Sequence, residues 1–180
     1  VVGAAYKRNG PRGRVSNVPD AIAEVSPAGL RALVAGLDDY DVLESTSGWA
    51  QLPERFRRHA VATRHAAENV SAVADVADRD QLAIAALLHD IGELVLLQLH
   101  SDYDLILGDR SLTPEERVRA EQRELGMDHT IVGGVLARRW GLPAVIASAI
   151  ERHHSEQAGG LAAAVRLSDL LARQASGELI

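Results

Sequence analysis

Residues 79 to 99 form an apolar stretch that limits the possible folds more than any other part of the sequence. Its apolar side chains leave almost no polar face: Leu82, Ile84, Leu87, Leu88, Ile91, Leu94, Val95, Leu96 and Leu97. We predict one helix here, buried on all sides. His89 and Asp90 lie at its centre. A buried carboxylate must be paired, protonated or bound to a metal to offset its desolvation, so Asp90 requires a partner.

Helical periodicity continues through most of the chain from Pro19 onward, and no segment shows the alternating pattern of a strand. We predict helices at roughly 19 to 36, 53 to 76, 79 to 99, 114 to 125, 128 to 140, 143 to 154 and 159 to 175. The sequence therefore predicts an all-α fold, a compact multi-helix bundle that forms one domain over residues 1 to 180.

Local signals refine two of these helices. Thr113, Pro114 and Glu116 match an N-cap, a first-turn proline and a capping box. Gly133 and Gly134 lie in the middle of a predicted helix, where glycine costs stability relative to alanine. A close helix crossing at these two glycines is the natural explanation.

Composition excludes several classes of function. The chain has no cysteine, which removes thiolate catalysis, iron–sulfur clusters and cysteine-type zinc sites. With a net charge of -6, the chain lacks the excess positive charge with which proteins bind nucleic-acid phosphates. No apolar run approaches the roughly 18 to 20 residues of a membrane span, and no signal peptide is present. We therefore expect a cytoplasmic protein that binds neither nucleic acid nor a membrane.

Further metal-capable side chains lie on the apolar stripes of four other helices. Each is spaced so that it points toward the core with its apolar neighbours. These residues are His59, His129, His153, His154 and Asp169. Together with His89 and Asp90, side chains from five helices are therefore predicted to meet in the core.

A single core histidine is usually just hydrogen-bonded to a carbonyl group, and this remains the alternative for any one of these residues. The whole set is harder to bury without a cation, because too many groups would lack partners. Imidazoles and carboxylates without sulfur suit Fe, Mn, Zn, Co or Ni, and two ions fit the set better than one. Asp90 is predicted to bridge them, with His59, His89 and Asp169 on one side and His129, His153 and His154 on the other.

Two sequence strings identify a family that the chain resembles. They are AALLHDIGELVL and MDHTIVGGVLARRWGLPAVIASAIERHH, with FRRHAVATRHA and AVRLSDLLA in support. The chain resembles the HD superfamily of metal-dependent phosphohydrolases, and within it the HD-related output domain (HDOD) of bacterial signalling proteins. The resemblance covers nearly the whole chain.

The resemblance implies an all-helical HD domain with a metal site in its core. His59, His89, Asp90 and Asp169 match the basic ligands of the superfamily, and the additional histidines match its binuclear members, such as the HD-GYP phosphodiesterases. It implies two divalent ions, Fe or Mn first, with Zn, Co, Ni or Mg as alternatives. His89 and Asp90 are then the expected catalytic pair.

Three departures from the family pattern bear on function. Glu93 stands where the family usually has lysine after HDIG, so an anion replaces a cation that could hold phosphate. No GYP motif follows His154. The resemblance begins at Ala4 with the string AAYKRN. The helices that normally precede this string in the family are missing from this chain, so we expect an incomplete amino-terminal lobe.

Two functions follow as hypotheses. The first is a metal-dependent phosphohydrolase or phosphodiesterase acting on a phosphorylated small molecule or nucleotide, in which two metals lower the pKa of a shared water and hold phosphoryl oxygens. Arg64 and Glu93 are then the candidate substrate-binding residues. The second is a non-catalytic signalling output module that keeps a structural metal site and binds a protein partner.

Overall fold

The computed structural model describes residues 52–74, 78–100, 102–109 and 111–177. Helices make up the regular structure of these residues, and no strand occurs among them. They are α1 Leu52–Val73, α2 Arg79–Leu88, α3 Ile91–Leu99, α4 Tyr103–Gly108, α5 Pro114–Leu125, α6 His129–Arg139, α7 Ala144–Arg152 and α8 Gly160–Ala175. The predicted all-α fold is confirmed, and the predicted helix at 19 to 36 lies outside the described residues.

The chain divides into two compact units, Val1–Arg58 and His59–Ile180. Of the first unit, the structure describes only residues 52–58. In the second unit, α6 packs against α3 and α7, and α7 packs in turn against α2 and α8. The fully buried apolar side chains of these helices include Leu82, Leu96, Ile146, Ile150 and Val165. Their contacts form the core around the candidate site.

The single helix predicted over residues 79 to 99 is wrong, because the chain turns at His89 and Asp90 between α2 and α3. In a continuous helix the Asp90 N–H would donate to the Ala86 carbonyl. The His89 ring places its Nδ1 2.8 Å from the same carbonyl oxygen. Burial on all sides is also wrong, since Leu87 and Leu99 are exposed. The turn places the His89 and Asp90 side chains at the junction of two helices.

The remaining helix ends differ from prediction by a few residues, and α4 was not predicted. This six-residue helix has no side-chain cap at Asp102, so the sequence offers little signal for it. The capping box of α5 is confirmed. Thr113 Oγ1 accepts from the Glu116 N–H at 3.2 Å, and Glu116 Oε2 accepts from the Thr113 N–H at 2.9 Å.

Hydropathy singles out Arg79–Leu99 as the one stretch of the described residues that meets the length and composition of a membrane span, with a mean hydropathy of 1.7. This corrects the expectation that no apolar run comes near that length. Within the protein, 56% of the stretch is buried. A helix pair in the core of a water-soluble protein meets the same criterion, so the stretch is weak support for a span.

Three glycines allow helices to approach closely around α6. A Cβ on Gly133 would lie 3.0 Å from Ile150 Cγ2, and one on Gly134 would lie 2.8 Å from Glu151 Cβ. The predicted close crossing at these glycines is therefore confirmed, with α7 as the partner. Gly92 of α3 is a third such glycine that was not predicted, and a Cβ there would clash with the His129 carbonyl oxygen. The α3–α6 crossing that positions His129 thus requires glycine at residue 92.

We predict that Gly92→Ala lowers the free energy of unfolding by about 3 kcal/mol or more, because the clash is with backbone that cannot rotate away. Gly108→Ala is the control, since its Cβ would meet nothing within 4 Å and should change stability by less than about 1 kcal/mol. Urea denaturation of both variants measures the difference. Equal stabilities would show that α3 and α6 can move apart freely.

Candidate metal centre

The structure brings all seven predicted ligand residues together in the second unit. His59 comes from α1, His129 begins α6, and Asp169 lies on α8. His89 and Asp90 come from the α2–α3 turn, and His153 and His154 follow the end of α7. His59, with 14% of its side chain exposed, is the most exposed of the seven. The helical stripes on which these residues were predicted to lie therefore do converge.

The Asp90 carboxylate lies between two groups of ligands. Its Oδ2 is 3.0 Å from His89 Nε2 and 3.5 Å from His59 Nε2. Its Oδ1 is 3.5 Å from His129 Nε2 and 3.4 Å from His153 Nε2. Each oxygen thus faces a different group, which is the arrangement expected of a bridging carboxylate.

We call these groups the first cluster and the second cluster. The first cluster contains His59, His89, Asp90 and Asp169. The second cluster contains Asp90, His129, His153 and His154. Within each, one ligand atom from every residue lies within 4.8 Å of the others. This division is the one predicted from the sequence.

Three histidine rings are oriented by an acceptor at Nδ1. His89 Nδ1 lies 2.8 Å from the Ala86 carbonyl oxygen, and His153 Nδ1 lies 2.7 Å from the Ile150 carbonyl oxygen. A carbonyl can only accept, so each Nδ1 carries the proton and each Nε2 presents a lone pair toward Asp90 when the ring is neutral. Such fixed tautomers are typical of metal-ligating histidines.

Glu121 orients the third ring, and the sequence analysis missed it. Its Oε2 lies 2.7 Å from His129 Nδ1 and accepts from the His129 N–H at 2.9 Å. The Tyr103 hydroxyl donates to Glu121 Oε1 at 2.6 Å. Glu121 occurs in a helix rich in charged residues, and only its complete burial distinguishes it. No local sequence signal marked it as a partner of His129.

Arg173 is a second missed residue, and it contacts the first cluster. Its Nε donates to Asp169 Oδ1 at 2.8 Å, and its Nη2 lies 3.4 Å from Asp90 Oδ2. The side chain is buried. The spacing of four residues from Asp169 on one helix was the available signal, because such pairs share a helix face.

The centre contains buried polar atoms without hydrogen-bond partners. Native proteins rarely leave such atoms unsatisfied, and each one calls for a water, an ion or a functional explanation. Those that belong to the two clusters are Asp90 Oδ1, His129 Nε2, His153 Nε2, His154 Nε2 and Asp169 Oδ2. This donor set of imidazole nitrogens and carboxylate oxygens fits a divalent metal.

The charges of the centre shift the pKa values of its groups in opposite directions. Burial lowers the pKa of His89, but the Asp90 and Asp169 carboxylates outweigh burial and raise it to about 10. Burial also acts to lower the pKa of His129, but the Glu121 carboxylate outweighs burial and raises this pKa to about 9. Metal-free protein should therefore hold protons on both rings near neutral pH.

Four further groups, His153, His154, Asp90 and Asp169, have lowered pKa values. Burial lowers the pKa of His153, and burial with the neighbouring His153 and His129 charges lowers the pKa of His154 well below its usual value. Burial acts to raise the pKa of both carboxyls, but His89 holds that of Asp90 well below its usual range, and Arg173 does the same for Asp169. Both carboxylates are consequently ionised at neutral pH.

We predict that metal-free protein loses stability as the pH rises from 7 to 9. The folded pKa values of His89 and His129 lie above the unfolded value of about 6.5. The two protonated rings stabilise the fold fully below about pH 6.5, and this stabilisation is lost as the pH rises toward about 9 to 10. Each ring then lowers the free energy of unfolding by up to about 1.4 kcal/mol per pH unit. Urea denaturation of chelator-treated protein measures this, and His89→Gln should reduce the slope. A flat profile would contradict the proposed charge pairing.

The two candidate substrate-binding residues, Arg64 and Glu93, lie in different surroundings. The Arg64 guanidinium pairs with Glu68 at 2.6 Å on the surface of α1, five residues past His59 and so on another face. Glu93 is buried and pairs with Arg117 at 3.3 Å. Burial, followed by the nearby Asp90 charge, raises its pKa. Its carboxylate also lies within 4.8 Å of ligand-capable atoms of Glu121 and His129, so the expectation that Glu93 faces substrate stays a prediction.

We predict that Glu93→Lys destabilises the fold, because it places a second buried cation beside Arg117. Breaking a buried ion pair costs about 3 to 5 kcal/mol. Glu93→Gln, which keeps the shape and removes the charge, should cost less. Thermal and urea denaturation of the two variants provide the comparison. A lysine variant as stable as the glutamine variant would show that residue 93 can turn toward solvent.

Comparison with protein-family models matches residues 4–156 to the HDOD domain. The crystal structure of the MmoQ response regulator from Methylococcus capsulatus str. Bath has 23% identity and a TM-score of 0.70, over 98% of this chain and 73% of that chain. The crystal structure of an HDOD domain protein of unknown function from Geobacter sulfurreducens has 21% identity and a TM-score of 0.63, over 98% of this chain and 62% of that chain. These structures share the fold. Comparison with the curated proteins gives no match.

Proposed function

Because the chain belongs to the HDOD domain family, we propose that it is a signalling domain with a two-metal phosphohydrolase centre. Its two clusters bind two divalent ions. Fe and Mn are the preferred candidates, and Zn, Co, Ni and Mg are the alternatives. Its substrate is a nucleotide-type phosphoester or phosphodiester. The MmoQ relative is a response regulator, which supports a role in signalling.

One observation carries this proposal: the second cluster contains four buried ligand atoms without hydrogen-bond partners. They are Asp90 Oδ1 and the Nε2 atoms of His129, His153 and His154. Burying four such atoms against each other is unfavourable without a cation. A bound ion satisfies all of them together. Asp90 then joins the two clusters, because its other oxygen faces His59 and His89.

The protein's own groups hold this centre in place. Glu121 and the Ala86 and Ile150 carbonyls fix the rings of His129, His89 and His153, so these rings do not have to reorient to bind. Metal binding then releases the protons that His89 and His129 hold near neutral pH. When bound, two metal ions lower the pKa of water and stabilise charge on phosphoryl oxygens. The role of Asp90 is to keep the two ligand groups at a fixed separation for that chemistry.

A second function is favoured by the burial of the site. Six of the seven ligand residues are less than one tenth exposed, which leaves little surface for a substrate within the described residues. The anion Glu93 also lies buried where the family usually has lysine. In this alternative the metal site is structural, and the domain acts by binding a signalling protein.

We predict that protein grown with added Fe or Mn, and purified without chelator or histidine tag, contains close to two ions per chain. Asp90→Ala should lose most of this metal because both clusters share that carboxylate. The matched control is His65→Ala, since His65 pairs with Glu68 on the exposed face of α1. Elemental analysis measures both variants. Finding no metal after supplementation would overturn the metal centre.

Turnover separates the two functions. With Mn or Fe present, the enzyme should release product from at least one of three probes, namely mononucleotides, cyclic dinucleotides or an aryl phosphate. Asp90→Ala should abolish turnover while retaining helical circular dichroism, and His65→Ala should leave it unchanged. A metal-loaded wild type that turns over none of the probes would favour the non-catalytic signalling module.

A further inference from the structure

The two clusters differ in what already contacts their ligand atoms. In the second cluster, Asp90 Oδ1 and the Nε2 atoms of the three histidines have no hydrogen-bond partner. In the first cluster, Asp169 Oδ1 lies 2.9 Å from His59 Nε2, and Asp90 Oδ2 lies 3.0 Å from His89 Nε2. On this side of Asp90, Asp169 Oδ2 is the atom left without a partner, so most of this cluster's ligand atoms already have contacts within the protein.

Arg173 contacts the same two oxygens of the first cluster. Its guanidinium lies 2.8 Å from Asp169 Oδ1 and 3.4 Å from Asp90 Oδ2. An arginine side chain cannot lose its proton in a protein, so this positive charge is permanent. It is also buried, where solvent screens its charge weakly. The two carboxylates therefore have a fixed cation beside them before any metal binds.

We propose that the two clusters bind metal with unequal affinity, and that Arg173 sets the difference. This inference rests on the proposed two-metal centre. A divalent ion in the second cluster satisfies four unpartnered atoms and binds first. An ion in the first cluster competes with the guanidinium for Asp169 Oδ1 and Asp90 Oδ2 and is repelled by that charge, so it binds second and more weakly.

This asymmetry gives each aspartate a different role. Asp90 contributes Oδ1 to the tight site and Oδ2 to the weak one. Asp169 serves only the first cluster, and Arg173 is its partner four residues later on the same helix. Arg173 is therefore a residue that determines metal occupancy and not a ligand. As the metal concentration rises, the second cluster then fills first and the first cluster fills at a higher concentration.

Titration of the chelator-treated full chain with Co²⁺, followed by visible absorption and by calorimetry, tests the proposal. We expect two binding phases in the wild type, separated by about tenfold or more in Kd. His154→Ala should remove the tight phase, and His59→Ala should remove the weak phase. These two variants assign the phases without changing Arg173.

The decisive comparison removes the guanidinium charge. Arg173→Gln should tighten the weak phase by about tenfold or more, because the competing cation is gone. Arg173→Lys should keep the wild-type separation, because it restores a positive charge. Arg166→Gln is the matched control, since Arg166 lies on the same helix and pairs with Glu115 at 2.7 Å. It should leave both phases unchanged.

Several results would overturn the proposal. Two ions of equal affinity in the wild type, loss of the tight phase in His59→Ala, or an unchanged weak phase in a folded Arg173→Gln each contradicts it while leaving the two-metal centre intact. No Co²⁺ binding at all would overturn the two-metal centre itself. If Arg173→Gln does not fold by circular dichroism, the phase assignments from His59→Ala and His154→Ala still decide the order of binding.

Discussion

The burial of the Asp90 carboxylate is the constraint on which the rest of the centre depends. Only 3% of this residue is exposed, and an ionised carboxylate in such a position needs positive charge or hydrogen-bond donors close by. The protein surrounds it with imidazole nitrogens on two sides and a guanidinium on one. Each of these groups comes from a different place in the chain, so the helices must pack in one arrangement to supply them.

Close helix packing and fixed side-chain orientations together place the histidine rings beside Asp90. Gly92 lets α3 approach the start of α6, which places His129 beside Asp90. Glu121 then fixes the His129 ring from the opposite side. Backbone carbonyls at the ends of α2 and α7 do the same for His89 and His153. The ligand atoms are therefore held in place by groups that do not belong to either cluster.

Much of the centre could be predicted because helical periodicity is a local property. A polar residue on an apolar stripe points to the core whichever helix it meets there. His59, His129 and Asp169 could therefore be assigned to the core before the packing was known. The turn at His89 could not be predicted, because the apolar pattern continues across it unbroken. The roles of Glu121 and Arg173 were missed for a related reason. Charged residues are ordinary in exposed helices, so the four-residue spacing of Arg173 from Asp169 was not distinctive by itself. The burial of Glu121 and Arg173 reveals that they are partners of the site.

The sequence by itself determined the helical class and the seven metal-capable residues. These follow from residue type and spacing, which the chain carries without folding. Their division into two groups around Asp90 was predicted, but only helix packing brings the atoms of each group within 4.8 Å of one another. The tertiary structure alone decided that Glu93 pairs with Arg117 inside the protein and that Arg173 contacts both carboxylates. Those contacts join residues as far apart as 90 and 173, and a charge acquires its effect only from the neighbours and the low-dielectric surroundings that packing gives it.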